Sequence, residues 1–135
     1  MRDLHNKVKV ARAIDAKTSV GNETITGEVV DLAGHKSVEF VISYGNKTDG
    51  AVAIELQECD TSGGVYTPVA DTDLLGTEAA AGVADGTAGA NTVKKLGYRG
   101  SKQFLKLVAT VSSNAGSCPL SAVAVLGHPN HAPTA

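Results

Sequence analysis

The sequence predicts an all-β fold, an antiparallel β-sandwich for which a jelly roll is one admissible topology. Three observations predict it. Apolar residues recur at period two, most clearly where Val38, Phe40, Ile42 and Tyr44 fall on one face of an extended chain. Turn residues punctuate the chain at intervals of about ten residues, leaving room for roughly seven or eight short strands. Finally, 42% of the 135 residues are apolar against 19% charged, enough to bury one core in a chain too short for two. With two Phe, three Tyr and no Trp, that core must be built from Val, Leu, Ile and Ala.

Taken in order, residues 8–14 read as a strand and residues 20–23 as a polar loop. Residues 28–32 read as a second strand, and residues 33–37 as the turn into the clearest strand, 38–44. Residues 45–50 carry turn chemistry before 51–59, where Val52, Ile54 and Leu56 alternate with Glu55 and Gln57. Strands 38–44 and 51–59 are expected to pair as an antiparallel hairpin. After a turn at 61–64 comes a short strand at 65–69, whose Pro68 suits a sheet edge because it cannot donate to a ladder.

Residues 77–91 mix alanines with recurring glycines and read as a mobile loop. Strands 104–111 and 120–126 are apolar on both faces and are expected at the centre of a two-layer structure. The core candidates are Phe40, Ile42, Ile54, Leu56, Leu107 and Val123. Residues 1–126 form the sandwich domain, and residues 127–135, with Pro129 and Pro133, form an extended C-terminal arm opposite an N-terminal one.

Twelve Lys and Arg against fourteen Asp and Glu leave a net charge of -2, unlike a nucleic-acid coat. No charged N-terminus precedes an apolar run and no long apolar run occurs, so neither signal peptide nor membrane span is expected. Cys59 and Cys118 read as structural free thiols, with a single disulfide as the alternative. No Gly-x-Ser-x-Gly elbow surrounds a serine. His128 and His131 are three apart, but Pro129 and Pro133 oppose the helix that would let both hold one metal. Asp60, Asp71 and Asp73 lack calcium-loop spacing, and the stretch at 97–102 precedes a strand where a phosphate loop needs a helix. We therefore expect no enzyme activity, no metal and no cofactor.

What remains is contact with partners. The cluster Lys94, Lys95, Arg99, Lys102 and Lys106 suits an acidic partner surface, with nucleic acid a less favoured partner, and a solvated edge strand explains it equally well. The interface candidates are Leu4, His5 and Val8 near the start, Lys94, Lys95 and Arg99 in the basic cluster, and His128, Pro129 and His131 in the arm.

Four segments carry a resemblance. They are Met1-Arg2-Asp3-Leu4-His5-Asn6-Lys7-Val8-Lys9-Val10; Val30-Asp31-Leu32-Ala33-Gly34 leading to Val38-Glu39-Phe40-Val41-Ile42; Val69-Ala70-Asp71-Thr72-Asp73-Leu74-Leu75-Gly76-Thr77-Glu78; and Leu120-Ser121-Ala122-Val123-Ala124-Val125-Leu126-Gly127-His128-Pro129. Together they resemble a family of small virion proteins of tailed bacteriophages and prophages, encoded near the major capsid protein. The resemblance implies a head decoration or cement protein, made in the bacterial cytoplasm and seated on the capsid surface. Its implied partners are the major capsid protein and further copies of itself, as a dimer or trimer, with no membrane, nucleic acid or small-molecule substrate. A tail-tube or neck subunit is the alternative within that context. A carbohydrate-binding sandwich is the alternative outside it, weakened by the absence of Trp platforms.

Overall fold

Alternation decides the layers. In His35–Tyr44 (β4), the side chains of Val38, Phe40, Ile42 and Tyr44 are buried while Lys36 and Ser43 are exposed. The computed structural model describes residues 3–133, so Met1, Arg2, Thr134 and Ala135 of the expected domain and arms lie outside the described residues. The other strands are β1 (Lys9–Ser19), β2 (Glu23–Thr26), β3 (Val30–Asp31), β5 (Ala51–Cys59), β6 (Thr67–Pro68), β7 (Leu74–Leu75), β8 (Val93–Tyr98), β9 (Phe104–Ser112) and β10 (Cys118–Pro129). A 3-10 turn (Asp71–Asp73) and a one-turn helix α1 (Glu78–Ala81) complete the elements.

All pairings are antiparallel, in two sheets packed as a sandwich. One has the order β1-β10-β4-β8-β7 and is called here the β4 sheet; the other, the β5 sheet, has the order β2-β9-β5-β6, with β3 also on β9. Their inner faces share one core, in which Phe40, Ile42, Leu56 and Leu107 are fully buried and Ile54 nearly so. Each such side chain contributes roughly 1.5–3 kcal/mol through burial. The exposed edge strand β1 is interrupted by register shifts around Ile14 and carries Lys9, Arg12 and Lys17, features that oppose edge-to-edge pairing.

The expected hairpin between 38–44 and 51–59 does not form. β4 pairs with β10 and β8, and β5 pairs with β9 and β6, so residues 45–50 cross from one layer to the other. That crossing is tied to the start of β10 by Gly45 N donating to Pro119 O and Thr48 N to Ser117 O. A strand with one apolar face buries it equally well beside a neighbour or across the core from it, so alternation could not choose.

Several boundaries move for similar reasons. β1 runs on to Ser19, and β2 takes Glu23 from the expected loop. The expected strand 28–32 shrinks to β3, because Gly27 N donates to Leu107 O while Glu28 N donates to Ala13 O, splitting the chain between two partners. β9 and β10 are central, as expected, yet only one face of β9 is buried, and Thr110 on the other is exposed. Val123 is a correction: it is 39% exposed on the outer face, whereas Ala122 and Ala124 point inward.

Residues 77–91 are anchored where a mobile loop was expected. Thr77 caps α1, Ala81 is fully buried, and Tyr44 Oη donates to Ala81 O at 2.7 Å. Val83 bridges to Val52 on the free edge of β5, and a Cβ on Gly82 would lie 2.3 Å from Val52 O, so the close approach needs glycine. The terminal arms also need correcting. β10 continues through Gly127 and Pro129, which pair with Ser37 and His35, and Asn130 N donates to Gly34 O. At the other terminus, Lys7 N donates to Leu4 O and Asp3 Oδ1 accepts from Asn6 N, which makes a turn in place of an arm.

Candidate functional site

The outer face of the β4 sheet is built by register. One row across it reads Val10, Val125, Glu39, Gly97 and Leu75; the next reads Arg12, Val123, Val41 and Lys95. Because side chains alternate between faces, these residues share the outward side, while Phe40, Ile42, Leu96, Ala122 and Ala124 point to the core. Val10 is 62% exposed, Leu75 49% and Val93, at the start of β8, 64%. The result is an apolar strip flanked by Arg12 and Lys95.

Within it, Glu39, Leu75, Thr77, Val93, Lys94 and Lys95 line a cleft of about 540 Å³. A Cβ on Gly97 would lie 2.7 Å from Glu39 Oε2 and 2.9 Å from Leu75 Cβ, so the absent side chain lets the carboxylate and the leucine approach. Burial pushes the Glu39 carboxyl above its ordinary range, and the neighbouring Lys95 charge opposes that only in part. A half-buried carboxylate thus lies beside an exposed leucine and valine in this cleft.

A second cleft, of about 580 Å³, opens between the sheets where β4 begins and β8 ends. Its framework is Tyr98, whose hydroxyl donates to Glu58 Oε1 at 2.8 Å and accepts from Lys102 N at 3.0 Å; burial pushes its phenol well above the ordinary range. Arg99 Nε donates to Thr72 O at 3.0 Å, and Lys102 Nζ pairs with Asp60 at 2.8 Å.

The structure divides the nine sequence candidates. Strand direction places Arg99, His128 and Pro129 at this same end of the sandwich, with Val8 beside the start of β1 and Leu4 and His5 exposed on the turn before it. His131 is exposed just beyond β10. Lys94 and Lys95 are not part of that group: they pair with Ile42 and Val41 further along the β4 sheet. His128 Nδ1 lies 2.7 Å from Ser37 Oγ, which occupies one of its ring nitrogens. Among the described residues, no three His, Cys, Asp or Glu side chains cluster in a way that could hold a metal ion.

Sequence reasoning missed Val10, Leu75, Val93 and Val123 as surface residues. The only signal available was the phase of each strand, and in runs such as Ala122 to Leu126, where every residue is apolar, both phases look alike.

No family model matches this sequence, and no curated protein does. Solved structures do resemble the fold. The PBSX exported protein XepA matches with a TM-score of 0.57 and 11% identity, over 97% of this chain and 40% of that one. The infectious bursal disease virus VP2 subviral particle matches with a TM-score of 0.55 and 14% identity, over 92% of this chain and 33% of that one. The SPBc2 prophage-derived protein YomS matches with a TM-score of 0.45 and 15% identity, over 87% and 94%. At these identities the likeness shows the fold alone: this chain is a two-sheet antiparallel β-sandwich that corresponds to about two fifths of XepA and one third of the VP2 chain.

Proposed function

We propose that this protein is a non-enzymatic structural subunit of a tailed-phage virion, a decoration or cement protein on the head that docks through the outer face of its β4 sheet. The observation that carries this reading is the patch that Val10 and Val125 form in one cross-strand row with Val123 and Val41 in the next. A contiguous apolar patch on a small domain marks a contact surface.

Two further features support it. The first strand lies beside the last in β1-β10-β4-β8-β7, an order compatible with the jelly roll that many capsid domains adopt. The fold is also shared with the PBSX exported protein XepA and the protein of a viral subviral particle. In this reading the partners are the major capsid protein and two or three copies of this chain around a local symmetry axis, so that many modest contacts add up. The chain works at the virion surface and performs no reaction.

The test is co-sedimentation of purified protein with expanded heads, followed by cryo-electron microscopy. Added density on the capsid exterior, lost in Val123→Asp and Val10→Asp variants that keep a native circular dichroism spectrum, is expected. Absence of wild-type density on heads overturns the decoration role, and polymerisation into tubes or rings assigns the chain to the tail or neck instead.

A further inference from the structure

We propose that the cleft between the sheets at the end where β4 begins is a docking pocket for an acidic, partly apolar segment of a partner polypeptide, with Lys36 and Arg99 receiving its carboxylates. Charge comes first. The cleft is lined by His35, Lys36, Arg99 and Lys102, and no acidic residue lines it. Of the carboxylates nearby, Asp60 is engaged by Lys102, Glu58 by the Tyr98 hydroxyl, and Asp31 by Ala33 N and the Gln103 side chain, while Asp73, whose backbone carbonyl accepts from Arg99 N, lies outside the lining. Among the described residues, Lys36 is left with no carboxylate, and Arg99 makes a single side-chain bond, from Nε to a carbonyl. That bond fixes the guanidinium and leaves its terminal amino groups for a carboxylate, which a planar fork binds in two-point fashion.

The second observation is His35. Its side chain lines the cleft, and its buried Nε2 has no hydrogen-bond partner among the described residues. Its Nδ1 lies 3.3 Å from Ala33 O, which places a proton on Nδ1 and leaves Nε2 an unsatisfied acceptor that a small shift of the ring would present to a ligand N–H. In the doubly protonated ring, the same nitrogen donates to a carboxylate. A polypeptide offers both groups, amide N–H and carboxylate; inorganic phosphate or sulfate offers no amide.

The apolar lining points the same way. Leu32, Val38 and Leu75 line the cleft alongside the cations. Leu75 also borders the strip on the outer face, so a bound segment would run from one surface to the other. A net charge of -2 over the whole chain disfavours a polyanion such as nucleic acid, whose binding needs a broad basic field.

This inference goes beyond the virion reading and does not depend on it. The test titrates the full-length, isotope-labelled protein with the peptide acetyl-Asp-Leu-Glu-Leu-Asp-amide, and separately with inorganic phosphate, and follows backbone amide chemical shifts. Saturable peptide-induced shifts confined to residues 32–38 and 98–103, weakening as salt rises, are expected. Arg99→Gln and Lys36→Gln should each weaken peptide binding by about tenfold. Both residues are exposed, so both variants should fold, and each provides a check on the other. The inference is overturned if the peptide shifts nothing there, if both variants bind it normally, or if phosphate produces the same shifts with equal affinity. None of these outcomes involves phage heads, so failure here leaves the head-binding experiment to stand or fall separately.

Discussion

Lys47 Nζ donates to Ala84 O at 2.9 Å and also to Gly86 O, so a lysine only 1% exposed reaches from the crossing between the sheets to the segment at 77–91. An ammonium group taken out of water costs several kcal/mol unless hydrogen bonds replace its hydration. Here two carbonyls replace it, and in doing so pin an alanine- and glycine-rich segment against β5.

Replacing Lys47 with Met keeps the volume and removes the donor. Lys47→Met should lose about 1–3 kcal/mol in denaturant unfolding. Amide exchange should accelerate across residues 77–91 more than in β9. Unchanged protection in that segment would mean that Tyr44, bonded to Ala81 O, and Glu78, whose Oε2 accepts from Leu56 N at 2.7 Å, hold it without the lysine.

Phe40 and Val123 give opposite readings of two apolar strand residues. Phe40 is fully buried between the sheets, and Phe40→Ala should cost about 3–5 kcal/mol. Val123 faces outward, so Val123→Ala should stay within about 1 kcal/mol. Equal losses in chemical denaturation would show that the face of β10 has been misassigned.

Glu39 predicts a pH dependence. Burial holds its carboxyl above the ordinary value of 4.5. A raised carboxyl supports the folded state when protonated, so its contribution is full below pH 4.5 and is lost as pH rises through the higher folded value. Glu39→Gln should therefore raise Tm at neutral pH and leave it little changed in acid. A uniform shift at every pH in a thermal series would point to packing in place of charge.

The strand pairing of Gly127 and Pro129 separates two truncations. Ending the chain after Asn130 should spare the fold, because the ladder to Ser37 and His35 is kept. Ending it after Leu126 removes those pairs and the bond from Asn130 N to Gly34 O, and should lower Tm. Calorimetry on the two truncations distinguishes them.

The cysteines should differ in reactivity. Cys59, half-buried, pairs with Phe104 at the end of the sandwich that holds the basic cleft, whereas Cys118 pairs with Ser19 at the opposite end. That separation forbids a bridge within one chain. Cys118 is fully buried and its thiol is pushed up by burial, so a thiol reagent should modify Cys59 in the native protein and Cys118 only on unfolding. Simultaneous modification of both would show that the β10 end of the core opens readily.

Much of this was written locally in the chain. The pleat puts every second residue on one face, so Val38 to Tyr44 and Val52 to Leu56 announced both their strands and their buried sides. Pro68 likewise announced an edge, and β6 sits at one. The two clefts were harder to see. The floor of each is assembled from strands distant in sequence: Glu39 meets Leu75 only because Gly97 lies between them, and His35 shares a cleft with Arg99 only because β8 joins β4.

By itself, then, the sequence determined the all-β class, the strands at 38–44 and 51–59 and most of the core, since these follow from where water contacts an extended chain. The tertiary structure alone decided that those two strands part into different sheets, that Val123 faces outward, and that Lys36 and Arg99 border one cleft. Hydrogen-bonded pairing is non-local, and a period-two pattern is satisfied by many registers and partners; only closing both sheets over one shared core selects among them.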